Sequence, residues 1–254
     1  MITFPNAKIN LGLNIVSRRP DGYHNIETVF YPIPLTDSLE IVPAEGSEST
    51  LTCYGRVVDC PTEKNLVMKA YRMMEKEFGL PPVDIYLVKH IPDGAGLGGG
   101  SSDASFCMKM LNDMFKLGCT AEQLAKMASK IGADCPFFIH NKPMMATGIG
   151  DEFTPTDVCL KGKHMLLVKP DVSVPTKAAM EAMGASLAIS VATSHVSFRH
   201  PIRLMSMLHR GRIIHGTRAH AKWVRVAVLP APNRLNITVS SMATATVMPL
   251  ERHM

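Results

Sequence analysis

Five glycines fall among the seven residues from Gly94 to Gly100, between two segments of opposite character. Before them Val83 to Val88 reads as a strand, and after them a helical pattern carries Phe106, Met110, Leu111 and Met114. That order leaves few architectures open. Glycines remove side chains and let the backbone turn its N–H groups inward toward an anion. The helix expected from Ser101 adds unpaired N–H groups and a positive dipole end, worth about 0.3–1 kcal/mol to a nearby negative charge. Ser101 and Ser102 bring hydroxyls able to bond phosphate or magnesium, so a triphosphate fits such a nest. A flexible linker is the alternative, but a linker has no need of a β-branched strand before it and an amphipathic helix after it. The loop is not a Walker A, because no lysine follows the last glycine, and it is not the dinucleotide fingerprint.

The rest of the chain alternates strands and helices. Lys8 to Ile15 has period two, with Lys8, Asn10 and Asn14 expected on one face and the apolar residues on the other. Pro20-Asp21-Gly22 predicts a turn and Ile26 to Ile33 a second strand. Residues 64–78 place Leu66, Val67, Ala70, Tyr71 and Met74 at helical spacing. A further helix is predicted over 121–130, strands near 143–148 and 164–169, and a domain boundary near 155.

Several residues have two readings. Asp134 lies in the small and apolar segment Gly132-Ala133-Asp134-Cys135-Pro136, either as a helix cap or as a functional carboxylate. Lys8 is either a solvated strand charge or a fixed cation; phosphoryl transfer needs both an orienting carboxylate and such a cation. Tyr23 and His24 follow the turn as a core tyrosine with a surface histidine, or as a stacking plane with a hydrogen-bonding edge for a nucleobase.

The charge excludes more than it suggests. Residues 1–180 carry 14 Lys and 4 Arg against 20 acids, whereas from 181 onward there are 8 Arg, one Lys, six His and two acids. The net charge of +5 thus belongs to the tail, which has no aromatic interleaving, so no nucleic-acid partner is expected. No run of eighteen apolar residues appears, which points away from a membrane and toward a cytoplasmic protein. The six cysteines form no CxxC pair or zinc-like spacing, so reduced, mostly buried thiols and no protein-held metal are expected.

Asn6-Ala7-Lys8-Ile9-Asn10-Leu11, Arg19-Pro20-Asp21-Gly22-Tyr23-His24 with Glu27-Thr28, the loop from Gly94 to Ala104, and Gly132-Ala133-Asp134 stand in the order and spacing of the diphosphocytidyl-methylerythritol kinases, a branch of the GHMP small-molecule kinases. The resemblance covers roughly residues 1 to 177. It implies an α/β (α+β) fold of two parts: a ribosomal protein S5 domain 2-like part over 1–155 and a ferredoxin-like part over 156–254. It also implies ATP with magnesium (Mg2+) and a small-molecule alcohol as the partner, and leaves room for a homodimer. Lys8 and Asp134 match the catalytic pair. Pro92, Gly94, Ala95, Gly96, Leu97, Gly98, Gly99, Gly100, Ser101 and Ser102 match the ATP loop, with Asn65 in the flanking segment. Asn10, Tyr23, His24 and Thr176 match the acceptor side.

Past Thr176 the resemblance stops. The family's aromatic for the cytosine is replaced by Ala178, Ala179 and Met180, and its Gly-Ser-Gly-Ser turn is absent. The switch from lysine to arginine, the loss of acids and the clustered histidines lead us to expect that residues from about 178 are the gene read in a shifted frame. Back-translation of Lys222-Trp223-Val224-Arg225-Val226-Ala227, moved by one nucleotide, can spell Ser-Gly-Ser-Gly-Ser.

Overall fold

In the computed structural model, which describes residues 1–57, 60–170, 225–229 and 243–250, strands and helices combine as an α+β fold. A short β1 (Ile2–Thr3) precedes the two longest strands, β2 (Asn6–Arg18) and β3 (His24–Thr36), which form an antiparallel ribbon. Its turn is built by its own residues. Gly22 takes φ 86°, and the Asp21 carboxylate accepts from the Tyr23 N–H and from Arg19 Nε, both at 3.0 Å.

The expected alternation along β2 holds only to Leu11. Asn10 pairs with Phe30 and Leu11 with Val29, but the next pair is Leu13 with Thr28, leaving Gly12 as an extra residue at φ 67°. This bulge flips the strand, so Asn14 turns to the face opposite Lys8 and Asn10. The expectation that all three share a face is corrected.

A second sheet has the order β1-β4-β6-β5, from β4 (Ser38–Pro43), β5 (Thr50–Gly55) and β6 (Val83–Lys89). β5 and β6 run parallel, joined through α1 (Leu66–Phe78). Asn65 caps α1 by accepting from the Val67 N–H at 2.9 Å, and left-handed Gly79 ends it. Met68, Tyr71 and Met74 of α1 join Cys107, Met108 and Leu111 of α2 (Gly99–Met114) over Leu39, Ile41, Ile85 and Leu87 of the sheet. Full burial of each large apolar side chain is worth about 1.5–3 kcal/mol, which fixes where α2 lies.

α2 begins at Gly99 rather than at the predicted Ser101. Gly98 caps it at φ 71°, and its carbonyl accepts from the Ser102 N–H at 2.9 Å. A capping box of Thr120 and Gln123 starts α3 (Ala121–Ala128), and α4 (Cys135–His140) follows. β7 (Met144–Thr147) and β8 (Glu152–Pro155) complete the ribbon sheet in the order β2-β3-β7-β8. A third sheet sets β9 (Lys163–Pro170) between β10 (Arg225–Leu229) and β11 (Ala243–Leu250). The ribbon is therefore covered on both faces. Ala7, Ile9, Tyr31 and Ile33 pack with Met165, Leu167 and Leu250, while Phe30 packs with Phe137 and Phe138 of α4.

All six cysteines are free, but only Cys107 and Cys135 are buried; the expectation of mostly buried thiols is corrected, since Cys53 lies on the outer strand β5 and Cys159 is exposed. Among the described residues no helix is long and apolar enough to cross a membrane. Thr176 and, apart from β10 and β11, the segment expected to be frame-shifted lie outside the described residues.

Candidate active site

The glycine loop returns from β6 to lie against β2, where the Lys8 N–H donates to the Leu97 carbonyl at 2.9 Å. Lys8 is buried, unlike a solvated strand lysine. Its Nζ donates to Asn10 Oδ1 at 2.9 Å, lies 3.4 Å from Asp134 Oδ2, and sits 4.1 Å over the centre of the Phe30 ring. Phe30 is held edge-on by Phe137, with centroids 5.3 Å apart. A cation fixed by an amide, a carboxylate and a ring face has little freedom to swing away.

α4 delivers the carboxylate. The Ser105 hydroxyl of α2 donates to the Cys135 carbonyl at 2.8 Å, and at the far end Asn141 Nδ2 donates to Asn6 Oδ1 at 2.8 Å. These bonds tie the start of α4 to α2 and its C-cap to the first residue of β2, and Asp134 at its N-cap faces Lys8. Asp134 occupies the N-cap position, yet its side chain makes no capping hydrogen bond. Its carboxylate faces the lysine instead.

A hollow of about 220 Å³ opens along the glycine loop, lined by Pro92 through Ser101 and by Leu66, Lys89 and Ile91; Lys8 adjoins it through Leu97 and Gly98 rather than lining it. Leu66 brings the start of α1 to this hollow, whereas Asn65, which caps that helix, is not among the lining residues. Gly94, Gly96 and Gly98 have φ of 60°, 71° and 71°, values that L-residues rarely adopt. A Cβ on Gly98 would stand 2.8 Å from Phe138 Cζ, and one on Gly99 would stand 3.0 Å from Ile91 Cγ2. The cradle therefore needs glycine for space as well as for conformation, and its wall of N–H groups at the start of α2 suits phosphate oxygens. Ser102 is fully buried, and its Oγ has no partner. Among the described residues no three His, Cys, Asp or Glu side chains converge to hold a metal. Ser101 lines the same hollow.

One cluster escaped the sequence reading. Lys89 is buried beneath the loop, with its Nζ 2.7 Å from Asp103 Oδ2 and ion-paired to Asp37 as well. Burial pushes the Asp103 carboxyl up to about 7 against the pull of the Lys89 ammonium and with the help of the Asp37 charge. Burial alone would lower Lys89, but the two carboxylates outweigh it and hold it above its ordinary value. A signal was present: Val83, Ile85, Leu87 and Lys89 occupy successive inward positions of one strand.

Tyr23 and His24 lie at the turn end of the β2–β3 ribbon, ten residues along the strand from Lys8, and are not brought against the lysine–carboxylate pair. Tyr23 is 62% exposed, so the core-tyrosine reading is overturned, and His24 is half-buried.

Residues 65–142 match the sequence model of the GHMP kinases N terminal domain. A Bacteroides fragilis protein named 4-diphosphocytidyl-2-C-methyl-D-erythritol kinase is 59% identical over 179 residues, which are 70% of this chain and 65% of that protein. A Parabacteroides distasonis protein of the same name is 52% identical over 204 residues, 80% of this chain and 72% of the relative. The chain thus spans about two thirds of the length of these relatives. A crystal structure of 4-(cytidine 5'-diphospho)-2C-methyl-D-erythritol kinase superposes with a TM-score of 0.61 at 34% identity, covering 72% of this chain and 64% of that one. A crystal structure of mevalonate kinase shares the fold at 14% identity, with a TM-score of 0.57.

Proposed function

This chain belongs to the 4-diphosphocytidyl-2-C-methyl-D-erythritol kinase family within the GHMP kinases, and we propose that it transfers the γ-phosphoryl group of ATP to the 2-hydroxyl of 4-diphosphocytidyl-2-C-methyl-D-erythritol, a step of isoprenoid synthesis. The observation that carries this reading is the Lys8–Asp134 pair, 3.4 Å apart, whose lysine is hydrogen-bonded through its backbone N–H to Leu97 of the glycine loop. Phosphoryl transfer asks a protein for positioning and charge rather than for covalent chemistry. The loop N–H groups and the start of α2 hold the triphosphate. Asp134 orients the acceptor hydroxyl and takes its proton as the oxygen attacks phosphorus, and ADP departs with the electron pair of the broken P–O bond. Lys8 faces the charge on the transferring group; its partners Asn10 and Phe30 keep it in place. Magnesium, when bound with the nucleotide, neutralises phosphate charge.

Tyr23, His24 and Asn10 are proposed for the acceptor, with Thr176 closing over it. Residues 1–155 would form the ATP-binding, ribosomal protein S5 domain 2-like part and 156–254 the ferredoxin-like part, in a cytoplasmic enzyme that acts without nucleic acid.

A coupled ADP-release assay on the purified chain tests the proposal, with the cytidylyl substrate, homoserine and mevalonate offered in competition. Turnover with the cytidylyl substrate alone is expected; a preference for another alcohol would overturn the substrate assignment. The change of composition after residue 180 favours one second reading, a nucleotide-binding remnant, for which ATP binds without turnover and resequencing the gene reveals the shifted frame.

A further inference from the structure

The two ends of the glycine loop leave from different elements, β6 and α2, and both are tied to one buried residue that lies far away in the chain. Asp37, fully buried between β3 and β4, accepts through Oδ1 from the backbone N–H of His90 and from that of Ile91 at 2.8 Å, the two residues that lead into Pro92. Its Oδ2 accepts from Lys89 Nζ. That same ammonium donates to Asp103 Oδ2 at 2.7 Å, in the first turn of α2. One carboxylate therefore grips the strand side of the loop directly and the helix side through a single lysine. The cluster touches the loop itself, because a Cβ on Gly99 would stand 3.2 Å from Lys89 Nζ.

Replacing a buried ionic cluster by apolar side chains is often neutral or stabilising, so its presence directly beneath an anion cradle calls for a role beyond holding the core. Two buried polar atoms in the same turn, Ser102 Oγ and Asp103 Oδ1, have no protein partner.

We propose that Asp37 is a positioning residue for nucleotide binding: through the His90 and Ile91 amides and through Lys89 and Asp103 it sets the separation of the two ends of the Gly94–Gly100 loop, and so the aim of the loop's N–H groups at the phosphates. The inference rests on the kinase reading for the identity of the bound anion. It touches neither Lys8 nor Asp134, so a variant should lose nucleotide affinity while keeping the chemical step.

The test uses the full chain and Asp37→Asn, which keeps the shape and one acceptor oxygen but turns an amide toward Lys89. Binding of a fluorescent ATP analogue is expected to weaken about 10-fold to 100-fold. The KM for ATP should rise in parallel, and kcat at saturating ATP should stay within about threefold, a split that a general loss of folding would not produce. Asp103→Asn releases only the helix side and should show a smaller rise in KM. The double variant should lose less than the product of the two singles, because both act through Lys89. If Asp37→Asn fails to fold, Asp103→Asn decides alone: an unchanged ATP affinity overturns the proposal, as do equal falls in affinity and kcat in either variant. Absence of any nucleotide binding by the parent protein would instead sink the kinase reading, and this inference with it.

Discussion

Replacing Asp134 by Asn separates chemistry from architecture, because the structure gives this residue no structural duty beyond one ion pair. It stands at the N-cap of α4 without making a capping bond, so the usual cost of about 1 kcal/mol for losing a cap does not arise. Its pair with Lys8 is 3.4 Å long and its side chain is a third exposed, so water screens the interaction to within about 1 kcal/mol. Lys8 keeps Asn10 and the Phe30 ring, and the new amide oxygen can still accept from it. For a chain of this size that loss lowers the thermal midpoint by no more than about 2–4 °C. If Asp134 orients the acceptor hydroxyl and takes its proton, as proposed, its replacement should instead cut turnover by roughly 10²–10⁴, equivalent to about 3–5 kcal/mol on the barrier. ADP release at saturating ATP and acceptor measures turnover, a fluorescent nucleotide measures affinity, and a melting curve measures stability. Turnover within a few-fold of the parent would refute the assignment. A much larger fall in midpoint would show that the carboxylate is structural after all.

Gly98→Ala should cost about 2–4 kcal/mol, combining the left-handed φ with a Cβ only 2.8 Å from the buried Phe138 ring, and ATP affinity should fall with it; a melting curve unchanged within 1 °C would refute the tight-cradle argument. His24→Ala, at the ribbon's turn, should weaken the cytidylyl substrate by about 1–3 kcal/mol and leave ATP unaffected, whereas equal losses for both ligands in a KM comparison would remove His24 from the acceptor site. Asp103 predicts a pH dependence of stability. Its folded pKa of about 7 lies well above that of an ordinary carboxyl, so the folded state holds a proton the unfolded state has lost, and stability falls as pH rises from about 4 to about 7. The fall is about 4 kcal/mol at most and should be absent in Asp103→Asn; parallel melting curves of the two proteins across this range would contradict it.

Local chemistry made much of this protein legible before folding. The glycine run, the strand before it and the helix after it need only near neighbours to be recognised, since left-handed backbone, a cap and an amphipathic face are properties of short segments. The Arg19–Tyr23 turn is equally local, closed by bonds within five residues. The order and spacing of the motifs, more than any one of them, pointed to the kinase family.

Tertiary structure decided the rest, because it depends on which distant segments meet. Gly12 becomes a bulge only when β2 pairs with β3, and that pairing turns Asn14 away from Lys8. Lys8 is sequestered because α4 and Phe30 cover it, which a strand pattern alone cannot reveal. Asp134 changes from an even choice between cap and catalyst to a carboxylate facing a lysine 126 positions earlier in the numbering. Lys89 could have been suspected as a charge at an inward strand position, but Asp37 carries no local mark at all. Its role exists only where a strand turn, a strand end and the first turn of a helix converge on one ammonium, since a buried charge draws its partners through space rather than along the chain.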